Sequence, residues 1–174
     1  MRDITRLMLD IETLGTEPGC AIVSVGACYF DESGVGDTFL REVSLSSCGA
    51  AGLDIDHDTL AWWGDQPLSV RESLWRGRPL ATVLRVFSDF AEDATEVWAK
   101  PPRFDCEILA AAYETTGVDG PPWEHWQTRD VRALKALPID PDTPDIGTDH
   151  DALDDAREQA VRIRAILSEV SEDA

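Results

Sequence analysis

The sequence has little positive charge and almost no lysine. Its 174 residues include 15 Lys and Arg against 34 Asp and Glu, a formal net charge of −19. Lys100 and Lys135 are the only lysines. A surface this acidic repels a polyanion over the scale of the Debye length. Nucleic acid is therefore excluded as a partner unless metal ions or a cluster of arginines supply cations locally.

Long apolar runs and paired cysteines are also missing. No stretch approaches the roughly 18 apolar residues of a membrane span, and the N-terminal segment that starts with residues 1–3 lacks the apolar h-region expected of a signal peptide. The four cysteines are scattered, with no Cys-x-x-Cys pair, which argues against a zinc knuckle or a disulfide framework. The chain length and the hydrophobic fraction of 43% predict one globular domain over residues 1–174, which we expect to be cytoplasmic and not to bind a membrane.

Two acids interrupt an apolar run near the N-terminus. The run from Leu7 to Thr13 is typical of a buried strand, yet it contains Asp10 and Glu12. Side chains alternate along a strand, so these carboxylates share one face while Leu9 and Ile11 share the other. Adjacent carboxylates are costly to bury without a counter-charge, and a divalent cation is a natural one. The alternative is an exposed edge strand on which both acids are idle.

The rest of the chain predicts alternating strands and helices. Strands are predicted at 21–30, 37–45, 96–99 and 126–131, the last running into a helical turn, and helices at 59–63, from Pro67, at 80–90, 104–116 and 151–170. Residues 46–58 and 138–148 are predicted to be loops, and 171–174 a frayed acidic tail. The first three strands form an antiparallel meander, and the order of elements predicts an α/β fold with a mixed central sheet flanked by helices.

Two later segments place acids at the starts of helices. Asp105 opens a helix directly after the strand at 96–99 and a proline turn. His150 stands just ahead of the last helix, and Asp155 lies one turn inside it. Taken singly, each acid could do no more than stabilise a helix N-terminus through the macrodipole.

Together the three segments resemble the three motifs of DEDD-type 3′→5′ exonucleases, which have an RNase H-like fold. Asp10 and Glu12 match the first motif and Asp105 the second. His150 and Asp155 match the third, in the branch whose third motif is His-x-x-x-x-Asp. The order, spacing and strand or helix context agree, and the resemblance spans nearly the whole chain.

The segment from Thr59 to Gln66 indicates a smaller subgroup of these exonucleases. It is similar to a Thr-Leu-x-Trp-Trp-x-x-Gln element found in a subgroup of phage exonucleases, exodeoxyribonuclease VIII-like proteins and an actinobacterial exoribonuclease. That subgroup contains compact enzymes that act on DNA or on RNA. Relatives often dimerise, so a homodimer is possible.

The resemblance implies an enzyme that releases nucleoside 5′-monophosphates from the 3′ ends of single-stranded DNA or RNA. Two Mg²⁺ or Mn²⁺ ions would be held by Asp10, Glu12, Asp105 and Asp155, since carboxylates are suitable ligands for hard cations. His150 would take the proton of the attacking water, because imidazole titrates near neutral pH. The metal pair would also offset the local acids and attract the scissile phosphate.

The nucleotide at the 3′ end is expected to meet the turn after the first strand and one tryptophan. By resemblance, Thr13, Leu14 and Gly15 lie beside this nucleotide, with Leu14 wedged against its base. Trp62 and Trp63 are successive helix residues and cannot both face the core. We favour Trp63 as the exposed one that stacks on a base, a contact worth about 1–3 kcal/mol.

Contacts to phosphates are expected from cations near the motifs. The candidates are Arg103, Lys100, Arg129 and Arg132. Each of them could equally be a surface charge that only aids solubility.

Several neighbouring residues receive a smaller role or none. Asp151 shares a helix face with Asp155 and is a candidate for a supporting contact behind the metal ligands. Asp154 is expected to face solvent. His57 and His125 lack a paired acid and are assigned no catalytic role.

Other functions fit the sequence less well. The run from Asp54 to Asp58 begins like a calcium-binding EF-hand loop, but Thr59 replaces the glycine and Asp65 the glutamate that such a loop requires. The glycine-rich nucleotide-binding motifs do not occur. The remaining alternative is a catalytically weak module on the same fold that binds nucleic acid or a protein, although all five motif residues are present.

Overall fold

A computed structural model describes residues 4–148 and 150–172. The strands are β1 Arg6–Thr13, β2 Ile22–Phe30, β3 Val35–Glu42, β4 Glu96–Ala99 and β5 Thr128–Asp130. The helices are α1 Leu45–Ala51, α2 His57–Asp65, α3 Leu68–Arg71, α4 Leu80–Ala91, α5 Pro102–Thr116 and α6 Ala152–Glu172. Short 3₁₀ helices cover Glu72–Trp75, His125–Gln127 and Val131–Ala136.

The strands form one mixed sheet in the order β3-β2-β1-β4-β5. β1, β2 and β3 pair antiparallel because tight turns join them, whereas β4 and β5 run parallel to β1 after helical crossovers. The predicted α/β class and the antiparallel first three strands are therefore confirmed. β1 is the middle strand, so both of its edges are hydrogen-bonded to neighbouring strands.

The two faces of the sheet are packed by different helices. Leu9 and Ile11 point into the larger core, which also contains Val83, Leu84 and Phe87 of α4 and Ile108 and Leu109 of α5. On the opposite face Met8 and Trp98 pack against Ala156, Ala160 and Ile163 of α6. The acids of β1 lie on this second face, beside α6.

A glycine lets α6 approach the sheet closely. Gly26 is opposite Asp10 in the β1–β2 register, and a Cβ at this position would lie 2.2 Å from the carbonyl carbon of Ala152. Ala152 and Ala156 are fully buried along the same contact. Small residues on both sides therefore bring the N-terminus of α6 next to Asp10.

Three boundaries differ from the prediction. The loop predicted at 46–58 is wrong, because α1 and the start of α2 lie within it. α1 has no apolar periodicity of its own; Cys48 anchors it in the core, and Gly52 ends it with a φ of 88°. β3 is shifted toward the N-terminus, and α6 continues through residues 171 and 172 of the predicted tail. Residues 173 and 174 lie outside the described part.

Two expectations from composition can be compared with the structure. All four cysteines are buried and free, as expected of small apolar residues. In the described part of the chain, no helix has both the length and the apolar character needed to cross a membrane.

Candidate active site

The site begins with the two acids on the central strand. Asp10 and Glu12 lie on the α6 face of β1, opposite Gly26 and Ser24 of β2. Leu9 and Ile11 are buried on the other face, as the alternation of the sequence predicted. The idle edge strand is thus excluded, because β1 pairs with a strand on each side.

Asp105 reaches β1 from the first turn of α5. β4 runs parallel to β1 and pairs with it as far as Met8, so α5 starts near the following residues of β1. Asp105 is only 2% exposed, and its Oδ1 accepts a hydrogen bond of 3.1 Å from the backbone N–H of Ile11. That N–H lies between the two acids of β1, so three carboxylates meet at one place.

The N-terminus of α6 brings the third motif to the same place. One ligand atom each of Glu12, His150 and Asp155 lie within 4.8 Å of one another. The exposed His150 has a φ of 66° in the segment ahead of the helix. The five residues of the three motifs thus converge on the end of β1.

The two acids beside Asp155 have structural roles. The Oδ1 of Asp151 accepts hydrogen bonds from the N–H groups of Leu153 and Asp154, at 3.0 and 3.1 Å, and so caps α6. The expectation that Asp154 faces solvent holds in part, since 24% of its side chain is exposed. Its carboxylate accepts a 3.0 Å hydrogen bond from the N–H of Thr148 and lies 3.5 Å from Arg157.

Burial raises the pKa values of three carboxyls, and for Asp10 and Glu12 the charges of neighbouring acids add to it. Burial raises the pKa of Glu12 to about 8, and the charges of Asp155, Asp105 and Asp151 add to the effect. Burial also raises the pKa of Asp105 to about 7, against hydrogen bonds from backbone N–H groups that lower it. The pKa of Asp10 is raised by burial first and then by Asp105, Glu12 and Asp155. Each carboxyl is therefore hard to ionise without a cation beside it.

The donor set fits a hard divalent cation. Within residues 4–148 and 150–172, no Lys or Arg forms an ion pair with Asp10, Glu12 or Asp105. Mg²⁺ and similar ions bind carboxylate oxygens. A bound cation would also favour the ionised form of these closely grouped carboxyls, whose pKa values are raised. The group is therefore a candidate centre for divalent cations.

Gln159 belongs to the site although no sequence motif predicted it. Its Nε2 donates a hydrogen bond of 3.0 Å to Oδ1 of Asp10, and its Oε1 is buried with no hydrogen-bond partner among the residues that the structure describes. Gln159 follows Asp155 by four residues, so both side chains lie on the same face of α6. That spacing is the sequence signal that could have identified Gln159. Its bond to Asp10 holds one carboxylate oxygen in place.

The prediction for the two tryptophans is reversed. Trp63 is 1% exposed, and its Nε1 donates a hydrogen bond of 2.9 Å to the carbonyl of Thr13. Trp62 is 41% exposed, and its ring lies 4.8 Å from the ring of His150 at an angle of 89°. The sequence could not distinguish them, because which face of α2 meets the core depends on how the helix is placed.

The turn after β1 differs from the expectation at Leu14. Its side chain is fully buried in the larger core, so the predicted wedge against a base is wrong for this arrangement. Thr13 is also buried, and its hydroxyl donates a 2.6 Å hydrogen bond to the carbonyl of Gly15. A Cβ at Gly15 would lie 2.5 Å from Cβ of Cys20. These residues form the packed turn that supports Trp63.

The cations proposed from sequence fall into two groups. Arg129 lies 3.2 Å from Glu96, and Arg132 lies 2.9 Å from Asp130. In the strand register Arg129 pairs with a residue of β4 that itself pairs with Met8 of β1. Met8 precedes Asp10 by two residues, so Arg129 does not lie beside the carboxylates. Arg103 and Lys100 are exposed, near the start of α5, and form no ion pair in the described residues. Only this second pair flanks the site.

Comparison with known proteins points to one class of enzyme. The family whose sequence model matches, over residues 5–167, is the Rv2179c-like 3′-5′ exoribonuclease domain. No curated protein sequence is significantly similar to the chain. Among solved structures, cell-death related nuclease 4 (CRN-4) is similar with a TM-score of 0.67 and 15% identity, over 95% of this chain and 64% of that chain.

Exonuclease I is similar in fold as well. Its product-bound structure gives a TM-score of 0.62 and 20% identity, over 98% of this chain and 44% of that chain. The structure of E. coli exonuclease I in complex with a 5cy-dT13 oligonucleotide gives a TM-score of 0.62 and 18% identity, over 98% of this chain and 41% of that chain. The chain thus spans less than two thirds of each of these proteins, which share its RNase H-like exonuclease fold. Because the family match covers nearly all of the sequence, the chain belongs to the Rv2179c-like 3′-5′ exoribonuclease domain family, a family of nucleases.

Proposed function

We propose that this protein is a metal-dependent 3′→5′ exonuclease of the DEDDh type that degrades single-stranded RNA. The observation that carries the proposal is the convergence of Asp10, Glu12, Asp105, His150 and Asp155 on the end of the central strand. RNA is proposed over DNA because the matching family is described as an exoribonuclease domain.

Asp10, Glu12, Asp105 and Asp155 would hold two divalent cations, Mg²⁺ or Mn²⁺. When bound, such ions make water nucleophilic at neutral pH and stabilise charge on the leaving oxygen. The fold orients these ligands before any ion binds, because Ile11 fixes Asp105 and Gln159 fixes Asp10. Fixed ligands reduce the reorganisation that hydrolysis would otherwise require.

His150 is assigned the proton transfer. Water attacks the phosphorus, the bond from phosphorus to the 3′ oxygen breaks, and a nucleoside 5′-monophosphate leaves. An imidazole nitrogen of His150 takes the proton of the attacking water and later returns it to solvent, while the 3′ oxygen takes up a proton to become a hydroxyl. The exposure of His150 suits this exchange with solvent.

The first experiment is a time course with the purified protein and Mg²⁺ or Mn²⁺. The substrates are matched single-stranded RNA and DNA labelled at the 5′ end, with a 3′-phosphate-blocked strand and a chelator as controls. We expect a ladder that shortens from the free 3′ end, faster for RNA, and no cleavage with the chelator. No cleavage of either strand under any metal condition would favour the binding module over the enzyme.

Trp62 is expected to bind a base next to the scissile phosphate. Its exposed ring stands beside His150, and stacking on an aromatic ring is worth about 1–3 kcal/mol per base. Trp62→Ala should therefore raise KM by roughly 5- to 150-fold, whereas Trp62→Phe should retain most of the affinity. Steady-state kinetics on the preferred strand measure both effects.

The control for Trp62 is Trp126→Ala. Trp126 is also exposed, and its ring lies against His125. If Trp62→Ala and Trp126→Ala gave the same small change in KM, the stacking role of Trp62 would be wrong.

A further inference from the structure

A small cavity lies beside His150, on the face of the sheet that carries Asp10 and Glu12. Its lining includes Ser24 of β2 and Glu42 of β3 as well as His150, and we call it the Ser24 cavity. Its volume is about 180 Å³. A water molecule takes about 30 Å³ in the liquid, so the space corresponds to about six waters and can hold one sugar ring.

The Ser24 cavity adjoins the proposed catalytic centre. The strand register pairs Ser24 with Glu12 of β1 on one side and with Glu42 of β3 on the other. Residues that are directly opposite in neighbouring strands project from the same face of a sheet, and such strands lie about 4.8 Å apart. His150 links the two places as well, because it lines the cavity and one of its ring nitrogens lies within 4.8 Å of a carboxylate oxygen of Glu12.

Two polar side chains of the cavity have no partner in the described part of the chain. Ser24 is only 5% exposed, yet its hydroxyl forms no hydrogen bond there. The carboxylate of Glu42 likewise forms neither a hydrogen bond nor an ion pair with any described residue. A buried hydroxyl without a partner is costly, so we expect water or a ligand to complete it. Ser24 can donate or accept a hydrogen bond, whereas the Glu42 carboxylate only accepts.

The charges around the cavity disfavour a phosphate as its occupant. Among the described residues that line it, Arg76 is the only Lys or Arg, and its guanidinium lies 2.9 Å from the carboxylate of Glu72. Three acids line the same space: Glu42, Glu72 and Asp151. An anion would meet more negative than positive charge here, whereas a neutral group that donates a hydrogen bond suits the free Glu42 carboxylate.

The lining is also unsuited to a base or to a further cation. No described Phe, Tyr or Trp lines the cavity, although stacking on such a ring is the usual way to hold a single-stranded base. In the described part of the chain, three potential metal-ligand atoms lie within 4.8 Å of one another only in the group of Glu12, His150 and Asp155. A sugar hydroxyl is the group of a nucleic acid that fits what remains.

We propose that the Ser24 cavity binds the ribose next to the scissile phosphodiester and recognises its 2′-hydroxyl. This hydroxyl is both a donor and an acceptor, so it can accept a hydrogen bond from Ser24 while it donates one to the carboxylate of Glu42. The inference rests on the proposed function, since it names the groups by which that site distinguishes RNA from DNA. Trp62 is then free to hold the base, because its ring lies against His150 and does not line the cavity.

Loss of the 2′-hydroxyl should slow cleavage without abolishing it, because water can take its place beside Ser24 and Glu42. A hydrogen bond between uncharged groups changes a rate by roughly 2- to 10-fold, and one to a charged group by roughly 10- to 100-fold. We therefore expect a nucleotide that lacks the 2′-hydroxyl to be removed roughly 10- to 100-fold more slowly than its neighbours.

The test follows cleavage through a strand with a single altered sugar. A short single-stranded RNA labelled at the 5′ end carries one 2′-deoxynucleotide in its middle. A second version carries a 2′-fluoronucleotide at the same position, which lacks the donor but keeps the sugar pucker of RNA. The measured quantity is the pause ratio, the rate of an unaltered step divided by the rate of the altered step. Both rates come from the same reaction, so a smaller folded fraction of a variant cancels.

The unmodified protein should pause at both altered sugars. Ser24→Ala and Glu42→Ala should each lower the pause ratio, and the double variant should bring it close to one. Glu42→Gln keeps an acceptor and should lower the ratio less than Glu42→Ala. The matched control is Ser168→Ala, which removes an exposed hydroxyl from the C-terminal part of α6 and should leave the ratio of the unmodified protein unchanged.

The outcomes for the cavity and for the proposed function can be separated. Degradation of RNA with no pause, or with a pause that the double variant retains, would overturn the ribose assignment and leave the exonuclease in place. If no strand is cleaved, fluorescence anisotropy compares binding of the RNA and of the matched DNA strand. A preference for RNA that the double variant loses would then support the cavity and contradict the exonuclease. Equal affinities, or a preference that the double variant keeps, would contradict both.

Discussion

Glu12→Gln should abolish most hydrolysis and at the same time make the metal-free protein more stable. The carboxylate is a proposed ligand of the cations, and their stabilisation of the transition state is worth several kcal/mol, so turnover should fall by roughly 10²-fold or more. The stability gain has the opposite origin. The fold buries Glu12 and places it near Asp155, Asp105 and Asp151, so its negative charge is unfavourable there.

The gain in stability should depend on pH. The pKa of Glu12 is raised from 4.5 in the unfolded chain to about 8 in the folded protein. Below pH 4.5 both states are protonated and the substitution changes little. Between pH 4.5 and 8 the unfolded chain releases the proton while the folded protein retains it, so the free energy of unfolding of the wild type falls. The free energy of unfolding of the glutamine variant does not fall in this way. The difference in stability between the variant and the wild type should therefore reach its full size above pH 8.

Thermal unfolding in a chelator between pH 4 and 9 measures this effect. A gain on the order of 10 °C at pH 8 is expected, since the difference between a pKa of 4.5 and one of about 8 is worth roughly 4–5 kcal/mol and 1 kcal/mol shifts Tm by about 2–4 °C in a protein of this size. Mg²⁺ should then raise the Tm of the wild type more than that of the variant. Glu17→Gln removes the same charge from an exposed turn and is the control. A Tm difference that is constant across the pH range would contradict the assignment of Glu12.

His150→Ala should lower kcat by about 10²- to 10⁴-fold, the usual contribution of a general base. It should change the affinity for Mg²⁺ much less, because four carboxylates remain. This test distinguishes a base from a metal ligand. His150 lies close enough to Glu12 and Asp155 to bind the same cation as these two carboxylates.

Metal binding by titration calorimetry and turnover at saturating metal separate the two roles of His150. A loss of metal binding with unchanged turnover per bound metal would show that His150 is a ligand and not the base. His125→Ala is the matched control. His125 is exposed, and its ring packs against Trp126. It should change neither quantity.

Local patterns in the sequence predicted the elements that carry the site. The alternation around Asp10 and Glu12 assigned both acids to one face of β1, because the period of a strand is a local property. The strand at 96–99 and the helix ending at Gly117 were likewise predicted, since a short apolar run and a C-terminal glycine are local signals. The order of elements was sufficient to predict the mixed sheet.

Other features depended on contacts that local patterns do not encode. α1 forms in a segment of small residues, because Cys48 is buried in the core. Trp62 and Trp63 exchange their expected roles, because the placement of α2 decides which ring meets the carbonyl of Thr13. Leu14 is buried in the larger core, and this burial also depends on packing that the local sequence does not encode.

The sequence by itself determined the fold class, the three motif segments and the family that they resemble, because residue spacing and periodicity are written along the chain. Only the tertiary structure decided that Gln159 holds Asp10, that Trp62 stands beside His150, and that Trp63 is buried. These residues are far apart in sequence. The close contact of α6 with Gly26 and the hydrogen bond from Trp63 of α2 to the carbonyl of Thr13 bring them to the site.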